Sequence, residues 1–429
     1  MFRLFMVFRL MVEKISVPRG TADILPNDIG RWQAIEAITR RIFNNYNYHE
    51  IRTPIFEDTR LFKRSLGQTS EVVNKQLLEL KSAKEEGFAL RPEGTASIVR
   101  AYIENSLDKK EGLSKLFYIG PMFRGERPQK GRLRQFHQVG AEAIGPRAND
   151  PLLDAEIIAL CVNLLKEFGV KDIKLLLNTL GDIEDKNNLS KHLRDRLKDN
   201  VNDLCEDCQS RFERNVFRIL DCKNESCRKI VGQLALDNSY LSKESREHYE
   251  TVKEALNDLG IKWVEDPKLV RGLDYYTHTV FEITSSKLGS QDALCAGGRY
   301  NYLVGQLGGA EVPAVGFALG IERVILATQD GPKEEENSLR AFMVAMDDES
   351  LKRCFNILND LRSAGVSSDM SFRFGSMKSL MREADKSQAR YVLIMGSNEL
   401  KNKTIMIKNM QSGEQQETPL AEVIKTLKG

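Results

Sequence analysis

Apolar side chains at Trp32, Ile35, Ile38, Ile42, Phe43 and Tyr46 recur at helical spacing, which predicts a long amphipathic helix with Asp28 as its N-cap. Residues 48–53 then read as a strand stopped by Pro54. Two more strands, at 115–123 and 134–143, bracket a polar, turn-rich stretch at 125–131, the pattern of an antiparallel hairpin with a long basic loop. A second amphipathic helix is expected at 154–168 and a strand at 174–177.

The pattern changes over residues 182–250, which are charged, poor in glycine and helical in periodicity, as expected of an inserted helical module. Strand and turn signals resume at Leu269 and run through 279–284 to Gly297 and Gly298. Residues 315–326 read as an apolar strand entering a helix. The stretch 328–338, with Asp330-Gly331-Pro332 followed by Lys333 and three glutamates, reads as a linker. Beyond it, strands at 341–346, 391–395 and 404–408 alternate with helices at 350–364, 376–388 and 420–427, a small α/β domain at 339–429.

Composition narrows the class without choosing a function. The 429 residues, 41% hydrophobic and 29% charged, suit several buried cores. A net charge of +2 argues against a wholly basic polyanion binder, so any such partner must be met by local patches. No apolar run reaches the ~18–20 residues that span a bilayer, and no membrane partner is expected. Residues 1–12 are apolar with Arg3 and Arg9 and no acid. They read as an extension upstream of a working start at Met11, with a short targeting peptide as the other reading. Seven cysteines without a secretion signal point to reduced thiols in a cytoplasm. Four cluster as Cys205-x-x-Cys208, Cys222 and Cys227, a set able to complete a zinc tetrahedron. The uneven second spacing and helix-like surroundings favour small buried thiols instead, and no protein-ligated metal is expected.

The chemistry-bearing motifs start with an absence. There is no G-x-x-x-x-G-K-[ST] loop and no G-x-G-x-x-G after a strand, which argues against P-loop and Rossmann nucleotide sites. His137, within a strand, reads as a packed histidine. The strongest local feature runs from Phe123 to Gln138, where Arg124, Arg127, Lys130, Arg132 and Arg134 surround the single acid Glu126. Strands at both ends would hold such a loop rigidly enough to grip a triphosphate while its tip reaches a nucleic-acid backbone. Gln138, Gly140 and Glu142 share one strand face, a polar pair over a glycine floor suited to a small-molecule pocket.

Arg124-x-Glu126 in a hairpin resembles motif 2 of the class II aminoacyl-tRNA synthetases. Residues 317–323 resemble motif 3, and the first helix, strand and Pro54 resemble the dimer-forming motif 1. Leu90-Arg91-Pro92-Glu93-Gly94-Thr95 narrows the family further. Leu269-Val270-Arg271-Gly272-Leu273-Asp274-Tyr275-Tyr276 and Ala296-Gly297-Gly298-Arg299-Tyr300 are similar to segments that mark histidyl-tRNA synthetases in particular. The resemblance runs from about Val17 to the C-terminus, including residues 375–378 and 384–386. It implies an α+β fold: an antiparallel sheet flanked by helices over 13–327, the insertion at 182–250 within it, and an α/β anticodon-binding domain at 339–429.

The resemblance implies a reaction in which the histidine carboxylate attacks the α-phosphate of Mg²⁺-bound ATP, followed by transfer of histidine to the 3′ end of tRNA(His). Arg124 and Arg271 would stabilise the α-phosphate, and Arg132 would take the terminal phosphate. Glu126 would accept from the adenine amino group, with Phe136 and Arg323 on the two faces of the base. Glu93, Thr95 and Gln138 would bind the α-amino group, while Glu142, Tyr276 and Tyr300 would read the imidazole, with Tyr275 lining the pocket. Arg127 and Gln129 would approach the acceptor end of tRNA. Glu322 reads as an orienting residue. Between Arg373 and Lys408, eight basic against three acidic residues offer a phosphate-binding face. A homodimer through the motif 1 region is expected.

Two departures touch the pocket wall. Asn301 stands where an acid commonly follows Gly-Gly-Arg-Tyr, and 68–80 lacks the usual aromatic-bearing strand. The rival readings are a regulatory subunit of ATP phosphoribosyltransferase, which typically lacks the ATP-gripping residues and terminal domain, and a kinase-activating domain, for which the chain has no kinase region.

Overall fold

Backbone hydrogen-bonding demands and period-two alternation produce, in chain order, α1 (Pro26–Asn45), β1 (His49–Glu50), β2 (Phe56–Asp58), α2 (Thr59–Ser65), β3 (Glu79–Leu80), β4 (Phe88–Leu90), α3 (Thr95–Glu104), β5 (Ser114–Phe123), β6 (Gln135–Ile144), α4 (Pro151–Glu167), β7 (Lys174–Thr179), α5 (Ile183–Leu197), α6 (Glu206–Arg214), α7 (Phe217–Leu220), α8 (Glu225–Gly232), α9 (Lys243–Asp258), β8 (Trp263–Glu265), β9 (Thr277–Thr284), β10 (Ala293–Arg299), α10 (Leu303–Gln306), β11 (Ala314–Gly320) and α11 (Ile321–Ala327). A second unit adds β12 (Ala341–Ala345), α12 (Asp348–Ser363), β13 (Ser368–Phe374), α13 (Met377–Lys386), β14 (Tyr391–Met395), α14 (Ser397–Asn402), β15 (Thr404–Asn409), β16 (Gln415–Pro419) and α15 (Val423–Lys428). The computed structural model describes residues 14–428 except 68–69, 71, 82–86, 110–111, 235, 290–291 and 329–338. The expected extension at 1–12 and nearly all of the expected linker therefore lie outside the described residues. Two units separate, Met1–Pro332 and Lys333–Gly429.

The first unit is built on an eight-stranded sheet of order β1-β5-β6-β11-β10-β9-β7-β8. Its centre is antiparallel. β5 and β6 form a ten-residue ladder from Ser114–Ile144 to Phe123–Gln135, the hairpin expected from the sequence. One face of these strands, through Phe117, Val139, Ala141, Phe281, Val315, Phe317 and Leu319, joins the core under α1, α4 and α9. The opposite face carries Tyr118 and Val280 into a second core with α2 and α3, and this face holds the candidate site.

Several boundaries move. α1 begins at Pro26, whose fixed φ and missing N–H suit the first helical position; Leu25 holds the cap position and Asp28 lies in the first turn. The strand expected at 48–53 shortens to β1, paired in parallel with β5. The polar stretch is not an open loop. Gln129 and Arg132 exchange both backbone hydrogen bonds at 3.0 and 2.9 Å around Lys130-Gly131, with Gly131 at φ +74°. Its base is tied down as Arg134 N–H donates to Gly20 O at 2.7 Å and Gly125 N–H to Gln76 O at 2.6 Å.

The charged segment at 182–250 is helical as expected, opening on a capping box between Asp182 and Asp185 and closing with α9, capped by Ser242. In the second unit, β12 lies parallel between β13 and β14, and β15 and β16 extend the sheet antiparallel. Its core of Met343, Leu358, Leu361, Leu393 and Ile405 is its own. Among the described residues, no helix is long and apolar enough to cross a membrane.

Candidate active site

β6 organises the site because one of its faces passes Phe136, Gln138, Gly140 and Glu142 in succession. Glu142 is buried, and its two carboxyl oxygens accept from the Thr95 hydroxyl at 2.6 Å and from the Tyr300 hydroxyl. Burial pushes this carboxyl up to about 8 despite the two donors. Gly316, across the ladder in β11, leaves the space that the Glu142 carboxylate fills; a Cβ there would overlap it.

The expected bare floor at Gly140 is corrected by Tyr118. This residue pairs with Gly140 in the hairpin, and its ring lies across the missing side chain and also against Gly94. The Tyr118 hydroxyl and Gln138 Oε1 are both buried without a hydrogen-bond partner. Unsatisfied polar atoms so placed are costly unless a ligand completes them. Glu93, 4% exposed, accepts from the backbone N–H groups of Thr95 at 2.7 Å and Ala96 at 2.9 Å, capping α3; burial raises its carboxyl.

Tyr275 and Tyr276 lie just ahead of β9 and not on a strand. Residues 274–275 form a turn, which abolishes period-two alternation, and both rings are buried 4.7 Å apart. Tyr275 meets Tyr300 edge-on at 5.5 Å.

At the other end of the β6 face, the Arg124 guanidinium lies 5.1 Å over the Phe136 ring while its Nε donates to Pro92 O at 2.9 Å. Arg132 pairs with Glu126 at 3.2 Å. Arg323, at the start of α11, donates from Nε to Gly131 O at 3.0 Å and from Nη1 to Ala293 O at 2.7 Å, bracing the hairpin tip. Burial lowers the proton affinity of both Arg124 and Arg323, and positive neighbours lower it further: Arg132 at both, with Arg124 acting on Arg323 as well. Arg127 and Gln129 are exposed at the tip.

Arg271 forms an ion pair with Glu282 on β9. The loop that carries it is held from the insertion. Lys186 Nζ, on α5, donates to Asp274 O at 3.0 Å and Tyr276 O at 2.7 Å, and Asn215 donates to the Asp274 carboxylate at 2.8 Å. His137 is packed against Trp32 and shares Glu322, whose carboxylate accepts from the His137 backbone N–H at 2.9 Å, so Glu322 orients this strand. Asn301 accepts from Arg299 at 3.3 Å and caps no pocket charge.

Sequence reading missed Tyr118, Glu282, Lys186 and the buried network in which Asp154 accepts from Arg299, from Thr279 at 2.6 Å and meets His248 at 2.8 Å. Hairpin register against Gly140 was the available signal for Tyr118, and period-two alternation along β9 for Glu282. Lys186 and Asp154 are long-range partners with no local signature. The cysteines also differ from expectation. Cys205 and Cys222 are only half-buried, and the four Sγ atoms of Cys205, Cys208, Cys222 and Cys227 lie within 4.8 Å of one another.

Residues 20–324 match the family model described as histidyl-tRNA synthetase, and residues 335–429 match one described as an anticodon binding domain. A curated histidine–tRNA ligase of Halothermothrix orenii is 45% identical over 415 residues, 96% of this chain and 99% of that protein. One of a Geobacillus species is 44% identical over 420 residues, with 96% and 98% covered. The crystal structure of apo Staphylococcus aureus histidyl-tRNA synthetase superposes with a TM-score of 0.81 at 37% identity, covering 97% of this chain and all of that one. The chain belongs to the histidyl-tRNA synthetase family.

Proposed function

We infer that this protein joins histidine to tRNA(His) in two steps, and that the face of β6 serves both substrates. The observation that carries this reading is the continuity of that face. It runs from Phe136, covered by Arg124 with Arg132 and Arg323 as that guanidinium's charged neighbours, to a buried carboxyl group that accepts from two hydroxyls. ATP with Mg²⁺ is the energy source used across the family.

The first step joins a histidine carboxylate oxygen to the α-phosphorus of ATP as the bond to the bridging oxygen breaks and pyrophosphate leaves. A carboxylate needs no general base, so charge stabilisation and alignment carry the rate. Arg124 and Arg271 act at the α-phosphate. Arg271 reaches it by exchanging its ion pair with Glu282 for phosphate, and Arg132 moves in the same way from Glu126 to the terminal phosphate. Glu126 so released accepts from the adenine amino group, with Phe136 and Arg323 flanking the base. In the second step the terminal ribose hydroxyl of tRNA attacks the activated carbonyl and AMP departs.

For histidine, the unpartnered Gln138 Oε1 and the remaining lone pairs of Glu93 and Thr95 suit an α-ammonium donor. Glu142, held by Thr95 and Tyr300, accepts an imidazole N–H, with Tyr275, Tyr276 and the unpartnered Tyr118 hydroxyl completing the wall. A site of this type discriminates by on the order of 10⁴–10⁵, because the wrong side chain leaves buried polar atoms unpaired. Arg127 and Gln129, exposed on the braced hairpin tip, approach the acceptor end. Exposed Ile55 and Phe56, which closely follow the sheet-edge strand β1, support a homodimer through this region. Amino-acid-dependent ATP–pyrophosphate exchange tests the reading: histidine alone is expected to support exchange. Exchange with another amino acid, or none, would overturn it.

A further inference from the structure

Between α5 and α9 the insertion has little with which to stabilise itself. Its intervening helices have nine, four and eight residues, and the core beneath them rests on Leu189, Leu193, Leu197, Val216 and Ile219. Four cysteines converge in this piece and nowhere else among the described residues. Cys205 caps α6, Cys208 lies in its first turn, Cys222 follows α7, and Cys227 lies in α8. Three separate backbone segments thus aim sulfur at one point. All four thiols are free, and Cys205 Sγ lies 3.9 Å from Cys222 Sγ, well beyond a bond.

We propose that Cys205, Cys208, Cys222 and Cys227 bind one Zn²⁺ as a structural tetrathiolate that fastens the insertion behind the Arg271 loop. Zn–S bonds of about 2.3 Å in a tetrahedron set sulfur–sulfur edges near 3.8 Å, so the observed limit of 4.8 Å requires contraction by about an ångström at most. Two donors favour negative charge on the sulfurs. The Cys205 backbone N–H donates to Cys227 Sγ at 3.2 Å, and the Arg211 guanidinium stands 3.8 Å from Cys208 Sγ, where it offsets the charge of four sulfurs on one divalent ion. Four protein ligands leave no open position for a substrate, so the role is structural.

The link to the site follows from chain order. Asn215, which donates to the Asp274 carboxylate, and Arg218, whose Nη1 lies 3.5 Å from Arg271 O, both fall between Cys208 and Cys222. A metal closing that interval fixes the platform against which residues 271–276 rest. This second half relies on the catalytic reading of Arg271; the metal does not.

Metal analysis of the full chain, purified without affinity metals or chelators, is the test. One zinc per chain is expected, released when a mercurial blocks the thiols, and replaceable by Co²⁺ with the absorption bands of a tetrahedral thiolate site. Cys208→Ser and Cys227→Ser should each abolish binding, while Cys354→Ala, outside the cluster, retains it. Should the serine variants fail to fold, the cobalt spectrum of the intact chain still decides. Zinc below about one-tenth per chain, together with no cobalt spectrum, overturns the proposal whatever the catalytic outcome. Removing zinc with a strong chelator should slow ATP–pyrophosphate exchange about tenfold with helix content retained. An unchanged rate in the zinc-free chain overturns the link to Arg271.

Discussion

At Glu142 a carboxyl group is buried between two hydroxyl donors, and burial raises its pKa to about 8. The sign of the consequence is fixed. Because the folded pKa lies above the unfolded one, the fold is relatively favoured while the group is protonated, and that advantage fades as pH rises from about 4.5 to 8. Glu142→Gln should therefore gain stability relative to the parent across that interval, measured as a difference in unfolding midpoint at pH 5 and pH 8. The same variant puts one carbonyl oxygen and an NH₂ where two carboxyl oxygens accept from Thr95 and Tyr300, and KM for histidine should rise about 10- to 100-fold with KM for ATP little changed. An equal rise in both constants would contradict the assignment. Sequence made Glu142 visible because its type, its face on the strand and the motif around it all agreed. Tyr118 went unread because its importance shows only once the hairpin register pairs it with a glycine on the other strand.

At the scale of elements, the Asp154 network ties four of them together. Asp154 lies in the first turn of α4, His248 on α9, Thr279 on β9 and Arg299 at the end of β10, immediately before Tyr300. Burial would raise the Asp154 carboxyl, yet Arg299 and His248 hold it down at about 2. A depressed pKa contributes stability that is present above the ordinary carboxyl range and is lost as pH falls toward 2. Asp154→Asn leaves the Arg299 guanidinium, fully buried, with backbone carbonyls and Asn301 as its remaining acceptors, which should cost about 3–5 kcal/mol in urea unfolding at pH 7. That cost should shrink between pH 4 and 2, and histidine KM should rise because Tyr300 follows Arg299 directly. A pH-independent loss would refute the electrostatic account. The hairpin was legible at this scale, since both strands alternate over ten residues. The turn at 274–275 was not, because adjacent aromatics give the same signal in a strand and in a turn, and long-range donors, Lys186 on α5 and Asn215 just after α6, decide between them.

For the molecule as a whole, the two units were separable in sequence by the charged stretch at 328–338. Each has a core of its own, one around Phe317, Leu160 and Val139 and the other around Leu358, Leu393 and Ile405. What stayed hidden in the second unit was its polar strands. β16, Gln415–Pro419, is an exposed edge with no apolar alternation, so only pairing with β15 defines it. With a net charge of only +2, contact with tRNA cannot rest on a general field and must come from patches such as the basic run between Arg373 and Lys408. Exposed Phe372 and Phe374 at the end of β13 stand beside Arg373, offering stacking surfaces among these charges. Removing residues 339–429 should accordingly leave histidine-dependent ATP–pyrophosphate exchange within about threefold of the full chain, since the arginine cluster and Glu142 keep every partner described for them. Aminoacylation of tRNA(His) at physiological salt should fall by 10²-fold or more, on the order of 3 kcal/mol of lost transition-state binding. Lowering the salt should recover little of it, because the lost contacts are absent and not merely screened. Parallel loss of exchange and charging would show instead that the terminal unit supports the catalytic fold.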